Sequence, residues 1–153
     1  MPESEKLVNI LMADDDPDDR MMTARALQQY RLKNGLMFVE DGQELMDYLR
    51  RQGKYADAVQ FPAPDLILLD LNMPRKDGRE ALAEIKADPE LRRIPVVVLT
   101  TSAMEEDILR SYNLGGNAYI TKPVSFQGLA EAMRIVSLFW FELVKLPTGA
   151  SGG

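Results

Sequence analysis

Short runs of consecutive apolar residues alternate along this chain with segments in which apolar residues recur every three or four positions. An apolar run of about four to eight residues bounded by turn residues is typical of a strand buried on both faces, and the wider spacing is typical of an amphipathic helix. The runs predict five strands, at residues 8–13, 36–40, 66–71, 96–100 and 118–120. The remaining segments predict five helices, at residues 17–32, 43–51, 79–87, 102–116 and 126–144.

Local signals at the first helix support this division. Asp16 precedes Pro17, which suits a helix cap followed by the first helical position. Asp18 and Asp19 then fall in the first turn, where the helix dipole favours negative charge, and Asp16 is expected to cap this helix rather than to bind a metal. Strict alternation of strands and helices predicts an α/β fold with a parallel sheet, doubly wound, with helices on both faces.

Polar residues stand where four of the predicted strands end. Asp14, Asp15 and Asp16 follow the first strand, Asp70 closes the third, Thr100 closes the fourth, and Lys122 follows the fifth. The carboxyl ends of parallel strands share one edge of a sheet, which is where open α/β sheets place their chemistry. Adjacent carboxylates repel one another unless a cation neutralises them, and oxygen ligands without His or Cys favour Mg²⁺ or Mn²⁺.

Composition narrows the function further. A chain of 153 residues with a net charge of −6 and a pI near 4.7 is one domain without the basic stripe that nucleic-acid binding needs. The absence of Cys excludes disulfides, zinc fingers and thiol nucleophiles, and the absence of His excludes autophosphorylation on histidine. No apolar run has membrane length and no secretory segment is evident, so a cytoplasmic protein that does not enter a membrane is expected.

The order of the polar residues resembles the receiver domain of two-component response regulators, over residues 7–144. The motif comprises an acidic pair, Asp-Leu-Asn-Met-Pro at residues 70–74, a threonine, an aromatic residue and Lys-Pro. Thr100, Tyr119 and Lys122 follow Asp70 by 30, 49 and 52 residues, which are the separations typical of that family. The resemblance implies a flavodoxin-like sheet of five strands in the order 2-1-3-4-5, which is the strand order of the chemotaxis receiver.

The resemblance also implies a role for each polar position. Asp70 would be the phosphoacceptor and would be phosphorylated by a partner sensor histidine kinase. Asp14, Asp15 and Asp70 would bind Mg²⁺ (or Mn²⁺) through their carboxylates, and Asn72 through its backbone carbonyl. The protein would then be a signalling switch that catalyses only its own phosphoryl transfer and dephosphorylation.

Three further residues complete the implied switch. Thr100 and Lys122 would hold the phosphoryl oxygens, and Tyr119 would be the aromatic residue that follows Thr100 inward. The output would be a changed surface formed by helix four, strand five and helix five.

Two segments depart from a minimal receiver. Residues 53–64 form an insertion that contains Tyr55 and Phe61, so an ordered loop is expected. Helix five is long and apolar, so the receiver domain is expected over residues 7–146, followed by a flexible tail at 147–153 without an output domain. These features resemble single-domain regulators that partner phytochrome-type histidine kinases.

Helix five presents two apolar stripes. The core face is predicted to carry residues at spacings of three and four, namely Leu129, Met133, Val136, Trp140 and Leu143. Ile135, Leu138 and Phe141 lie off this face, and exposed apolar residues in line suggest a partner surface. A homodimer through helix five and its extension is therefore expected.

Two alternative functions use the same residues differently. Asp70-Leu71-Asn72 weakly resembles the aspartate motif of haloacid-dehalogenase-like phosphatases, but Met73-Pro74 follows where such enzymes carry an acidic or small polar residue. A receiver fold that only docks partners is the other alternative, although such modules commonly lose the acidic pair or the lysine that this chain retains.

Overall fold

The computed structural model describes residues 8–28, 34–71, 78–100, 117–121 and 127–135, and strands alternate with helices along them as far as residue 100. The strands are β1 (Val8–Ala13), β2 (Asn34–Val39), β3 (Leu66–Asp70), β4 (Val96–Thr100) and β5 (Asn117–Thr121). The helices are α1 (Pro17–Gln28), α2 (Gly42–Leu49), α3 (Gly78–Ala87) and a further helix at residues 127–135. The predicted strands and the first three helices are confirmed with small shifts of their ends. The predicted helix at 102–116, and the predicted extensions to residues 32 and 144, lie outside the described residues.

The five strands form one parallel sheet in the order β2-β1-β3-β4-β5, as expected. The register pairs Ala13 of β1 with Leu69 of β3, and Asp70 of β3 with Leu99 of β4. The next residue after Ala13 is Asp14. The sheet therefore brings the end of β1 and the end of β3 together at its carboxyl edge.

The apolar runs are continuous because both faces of the sheet are covered. Successive side chains of a strand point to opposite faces, and every residue of β3 is buried. One core joins one set of strand side chains to α2 and α3, and includes Leu11, Ile67, Leu69, Leu45 and Leu82. The other core joins the alternate set to α1 and the 127–135 helix, and includes Ile10, Leu66, Leu68, Leu27 and Met133.

Aspartates begin the first two helices. The N–H of Asp18 donates to Asp16 Oδ1 at 2.9 Å, and the N–H of Arg20 donates to the Asp16 carbonyl at 3.1 Å, so the predicted cap is confirmed. Asp41 caps α2 by accepting from the N–H of Glu44 at 2.8 Å. The capping role of Asp41 was not predicted, because the helix was expected to begin at residue 43. Asp41 and Glu44 nevertheless have the spacing of a capping box.

Helix α2 ends at Leu49, two residues before the predicted end. Arg51 has a left-handed backbone, with φ of 57°. The N–H groups of Arg51 and Gln52 donate to the carbonyls of Tyr48 and Asp47 at 3.2 and 2.9 Å, which is the Schellman pattern usually closed by glycine. The Arg51 guanidinium donates to the Phe61 carbonyl at 3.0 Å, and this contact joins the end of α2 to the insertion.

The insertion is ordered, as expected. Its 3-10 turn, Gly53–Ala56, buries Tyr55 to 5% exposure. The rings of Tyr48, Tyr55 and Phe61 pack with centroids 4.8 to 5.8 Å apart. The hydroxyl of Tyr48 donates to the Pro62 carbonyl at 2.9 Å, and that of Tyr55 donates to the Glu44 carboxylate. Packing and hydrogen bonds therefore attach the insertion to α2.

No helix within the described ranges is long and apolar enough to cross a membrane.

Alkaline pH should loosen the attachment of the insertion. Burial, and then the hydrogen bond to Glu44, raise the pKa of Tyr55 above its ordinary value of 10.0. The unfolded chain therefore loses this proton first, and the free energy of unfolding falls as the pH rises above about 10. We expect Tyr55→Phe to lose less stability than the parent between about pH 9 and 11. Denaturant unfolding followed by circular dichroism across that range measures the difference, and identical pH profiles for the two proteins would contradict it.

Candidate functional site

Three carboxylates converge at the carboxyl edge of the sheet. One oxygen of each of Asp14, Asp15 and Asp70 lies within 4.8 Å of the others. Asp14 is 0% and Asp70 is 3% exposed, whereas Asp15 is exposed. The acid cluster, defined as these three residues, thus combines two buried carboxylates with one that reaches solvent.

The donor set of the acid cluster fits a divalent cation. Carboxylate oxygens this close repel one another, and burial makes the repulsion stronger because water no longer screens it. Hard dications such as Mg²⁺ and Mn²⁺ take oxygen ligands of this kind. A bound dication would neutralise the cluster while Asp15 keeps it open to solvent.

Hydrogen bonds to both its backbone and its side chain fix Asp14. Its N–H donates to the Val39 carbonyl at 3.0 Å, and its Oδ1 accepts from the N–H of Asp16 at 2.9 Å. Its carbonyl accepts from Nη1 of Arg20 at 3.1 Å. Arg20 was not among the predicted site residues. A signal did exist, because a cation in the first turns of a helix opposes the helix dipole and needs another partner.

The other predicted residues are described only in part. Thr100 ends β4 and Tyr119 lies within β5, where the backbone register pairs Thr100 with Thr121 and Tyr119 with Val98. The ends of β4 and β5 therefore lie at the same sheet edge as Asp70. Asn72, Lys122, Leu138 and Phe141 lie outside the described residues.

The predicted faces of helix five are confirmed where the helix is described. Leu129 and Met133 are 5% and 0% exposed, and Ile135 is 51% exposed. Val136, Trp140 and Leu143 lie outside the described residues. Asp18 and Asp19 fall in the first turn of α1, as predicted.

The family profile described as response regulator receiver domain matches residues 10–134. The chain belongs to this family of receiver domains. Response regulator Rcp1 of Synechocystis sp. (strain ATCC 27184 / PCC 6803 / Kazusa) is 44% identical over 138 residues, which cover 90% of this chain and 92% of Rcp1. The resemblance drawn from the order of polar residues is confirmed.

Solved receivers share the fold. The phosphorylated cyanobacterial phytochrome response regulator RcpA is 46% identical, with a TM-score of 0.80, over 89% of this chain and 95% of RcpA. The Mn²⁺-bound form of response regulator Rcp1 is 43% identical, with a TM-score of 0.77, over 87% of this chain and 94% of that one. The similar Rcp1 thus holds a dication, in agreement with the donor chemistry of the acid cluster.

Close packing of α3 fixes the backbone of Asp70 in the receiver. The N–H of Gly78 donates to the Leu71 carbonyl at 3.0 Å. A Cβ on Gly78 would lie 2.5 Å from the Asp70 carbonyl oxygen and 2.6 Å from the Leu71 Cα. Gly78, which was not among the predicted site residues, is therefore required for the close approach of α3 to the end of β3.

Gly78→Ala should disturb both stability and cation binding. Since the clashing atoms are backbone, β3 or α3 must move, and we expect a loss of about 1–3 kcal/mol in the free energy of unfolding. The shift reaches Asp70, so Mn²⁺ affinity should also fall. Denaturant unfolding and Mn²⁺ calorimetry measure the two effects.

Gly53→Ala is the matched control for this change. Gly53 has a φ of 61°, and a Cβ added there would have nothing within 4 Å, so alanine at this position costs about 1–2 kcal/mol of backbone strain alone. Mn²⁺ affinity should stay at the parent value. Unaltered Mn²⁺ binding by Gly78→Ala would show that Gly78 does not set the position of Asp70.

Proposed function

We propose that this receiver accepts a phosphoryl group on Asp70 from a sensor histidine kinase of the phytochrome type, in a Mg²⁺-dependent reaction. The observation that carries the proposal is the acid cluster, whose carboxylate oxygens lie within 4.8 Å of one another at the carboxyl edge of the sheet. The similarity to RcpA, a phytochrome response regulator, supports the class of kinase. We place the protein in the cytoplasm with such a kinase.

In this transfer the phosphorus exchanges a bond to nitrogen for a bond to oxygen. A carboxylate oxygen of Asp70 bonds to the phosphorus of a phosphohistidine, the P–N bond breaks, and the imidazole leaves with its electron pair and takes a proton. Asp70 ends a strand at the middle of the sheet, so its position is set before the donor arrives, which favours reaction. Hydrolysis of the acyl phosphate by water would return the receiver to its starting state.

Charge is the main obstacle to this reaction, because a phosphoryl group must approach several carboxylates. Mg²⁺, when bound, neutralises this charge and polarises the phosphoryl oxygen. Asp14, Asp15 and Asp70 would hold it through carboxylates, with the backbone carbonyl of Asn72. The hydrogen bonds of buried Asp14 with Val39, Asp16 and Arg20 would keep this ligand in place.

Thr100 and Lys122 would hold the phosphoryl oxygens. The register supports this assignment for Thr100, since its neighbour Leu99 pairs with Asp70. Movement of Thr100 would let Tyr119 follow, and the surface of helix four, β5 and helix five would change. Such a change becomes a signal only if a partner binds the two states with different affinity.

Asp70→Asn tests the acceptor site. The full chain is incubated with Mg²⁺ and acetyl phosphate, and its intact mass is measured beside that of the variant. We expect one phosphoryl adduct on the parent, no adduct on Asp70→Asn, and no adduct on the parent when a chelator removes Mg²⁺. An adduct of equal yield on Asp70→Asn would place the acceptor elsewhere, and an unlabelled parent beside a labelled known receiver would favour the docking module.

We also propose that the receiver forms a homodimer through helix five and its extension. Ile135 is 51% exposed on the helix whose opposite face buries Leu129 and Met133. Leu138 and Phe141 continue from Ile135 at intervals of three residues. Exposed apolar residues in such a series favour association when a second copy covers them.

Ile135→Glu and Phe141→Glu test the dimer. Each would bury a charge at the proposed interface, so we expect a parent dimer and variant monomers by light scattering at micromolar concentration. Val59→Glu is the control, because Val59 is 92% exposed on the insertion rather than on this helix, and it should remain dimeric. A monomeric parent would contradict the proposal.

A further inference from the structure

Arg20 reaches from α1 back to the end of β1. Its Nη1 donates to the Asp14 carbonyl at 3.1 Å. The same nitrogen lies 3.8 Å from a carboxylate oxygen of Glu40, and the guanidinium carbon lies 5.8 Å from the centroid of the Phe38 ring. The side chain is only 19% exposed. Asp14 at the end of β1, Phe38 in β2 and Glu40 just after β2 therefore hold this guanidinium in place.

The carbonyl that Arg20 holds belongs to the peptide unit between Asp14 and Asp15. Because a peptide unit is planar, a bond that fixes its oxygen also fixes the direction in which the chain continues to the Cα of Asp15. Asp15 is exposed, so packing around its side chain does little to set its position. The hydrogen bond from Arg20 therefore helps to set where the Asp15 carboxylate stands relative to Asp14 and Asp70.

Arg20 has two opposing effects on a cation at the acid cluster. Its positive charge repels the cation, although the carboxylate of Glu40 and the aspartates around it reduce that repulsion. Its hydrogen bond orients the turn that carries two of the ligands, and loss of such an outer contact typically costs a metal site about 10–100-fold in affinity. The contact is direct and largely shielded from solvent, so orientation should outweigh repulsion.

We propose that Arg20 is a positioning residue of the cation site, which fixes the Asp14–Asp15 peptide so that both carboxylates meet Asp70. This inference rests on the proposed function, because it requires a dication at the acid cluster. It adds to that function a residue of α1 that sets the cation affinity without contacting the cation.

The test compares Arg20→Gln and Arg20→Lys with Arg25→Gln in the full chain. Arg25 is exposed in the last turn of α1, so its replacement removes the same charge from the same helix. Free Mn²⁺, measured by electron paramagnetic resonance, gives the dissociation constant. We expect Arg20→Gln to raise it about tenfold or more, Arg20→Lys to recover part of the loss, and Arg25→Gln to match the parent.

Phosphorylation by acetyl phosphate at increasing Mg²⁺ gives a second readout. A positioning role raises the half-saturating Mg²⁺ concentration of Arg20→Gln, while the rate at saturating Mg²⁺ stays close to that of the parent. A merely structural defect would lower the saturating rate as well. If Arg20→Gln does not fold, Arg20→Lys carries the test, because it keeps the charge and a donor but lacks the planar fork.

Mn²⁺ binding by Arg20→Gln that equals or exceeds that of the parent would overturn the inference. Tighter binding would show that the charge repulsion between Arg20 and the cation dominates. If the parent binds Mn²⁺ and is labelled on Asp70 while Arg20→Gln behaves like the parent, the inference alone fails. If the parent neither binds Mn²⁺ nor is labelled, the proposed function fails and the inference fails with it.

Discussion

The parallel pairing of β1 with β3 is the constraint on which the rest of the receiver depends. It sets Ala13 opposite Leu69, so the next residue of each strand is an aspartate, and both side chains lie at one edge of the sheet. A slip of one residue would send alternate side chains to the wrong face. The same register therefore fills the two apolar cores and assembles the acid cluster, and neither can change without the other.

Assembling the acid cluster at a buried edge of the sheet costs free energy. Asp14 and Asp70 are 0% and 3% exposed, and removing a carboxylate from water costs several kcal/mol of effective penalty for each ion. The apolar strands on both faces of the sheet offset that cost. A dication that binds the folded chain but not the unfolded one adds stability by mass action. Cation binding at the acid cluster would therefore serve both the chemistry of the site and the stability of the fold.

The features that the sequence could predict are those encoded by local pattern. Apolar runs locate β1, β3 and β4, and the position of Asp70 at the end of such a run indicates its edge. Backbone conformations and contacts that form only when neighbouring elements pack together could not be predicted in this way. Arg51 takes a left-handed backbone without being glycine, and Gly78 is required by the backbone at the end of β3 rather than by a turn. Arg20 acts on a carbonyl, a group that every residue carries, so no side-chain pattern identifies its partner.

The insertion and the acid cluster are joined by a chain of contacts whose links differ greatly in strength. Glu44 accepts from Tyr55 and, at 2.8 Å, from the N–H of Glu40, and the carboxylate of Glu40 lies 3.8 Å from Arg20. The first links are well formed, with Tyr55 buried. The link between Glu40 and Arg20 is weaker, because it is an ion pair with Glu40 69% exposed, and exposed pairs contribute about 0–1 kcal/mol. The insertion therefore stabilises the α2 side of the fold, and any influence on the acid cluster through this route is limited by its weakest link.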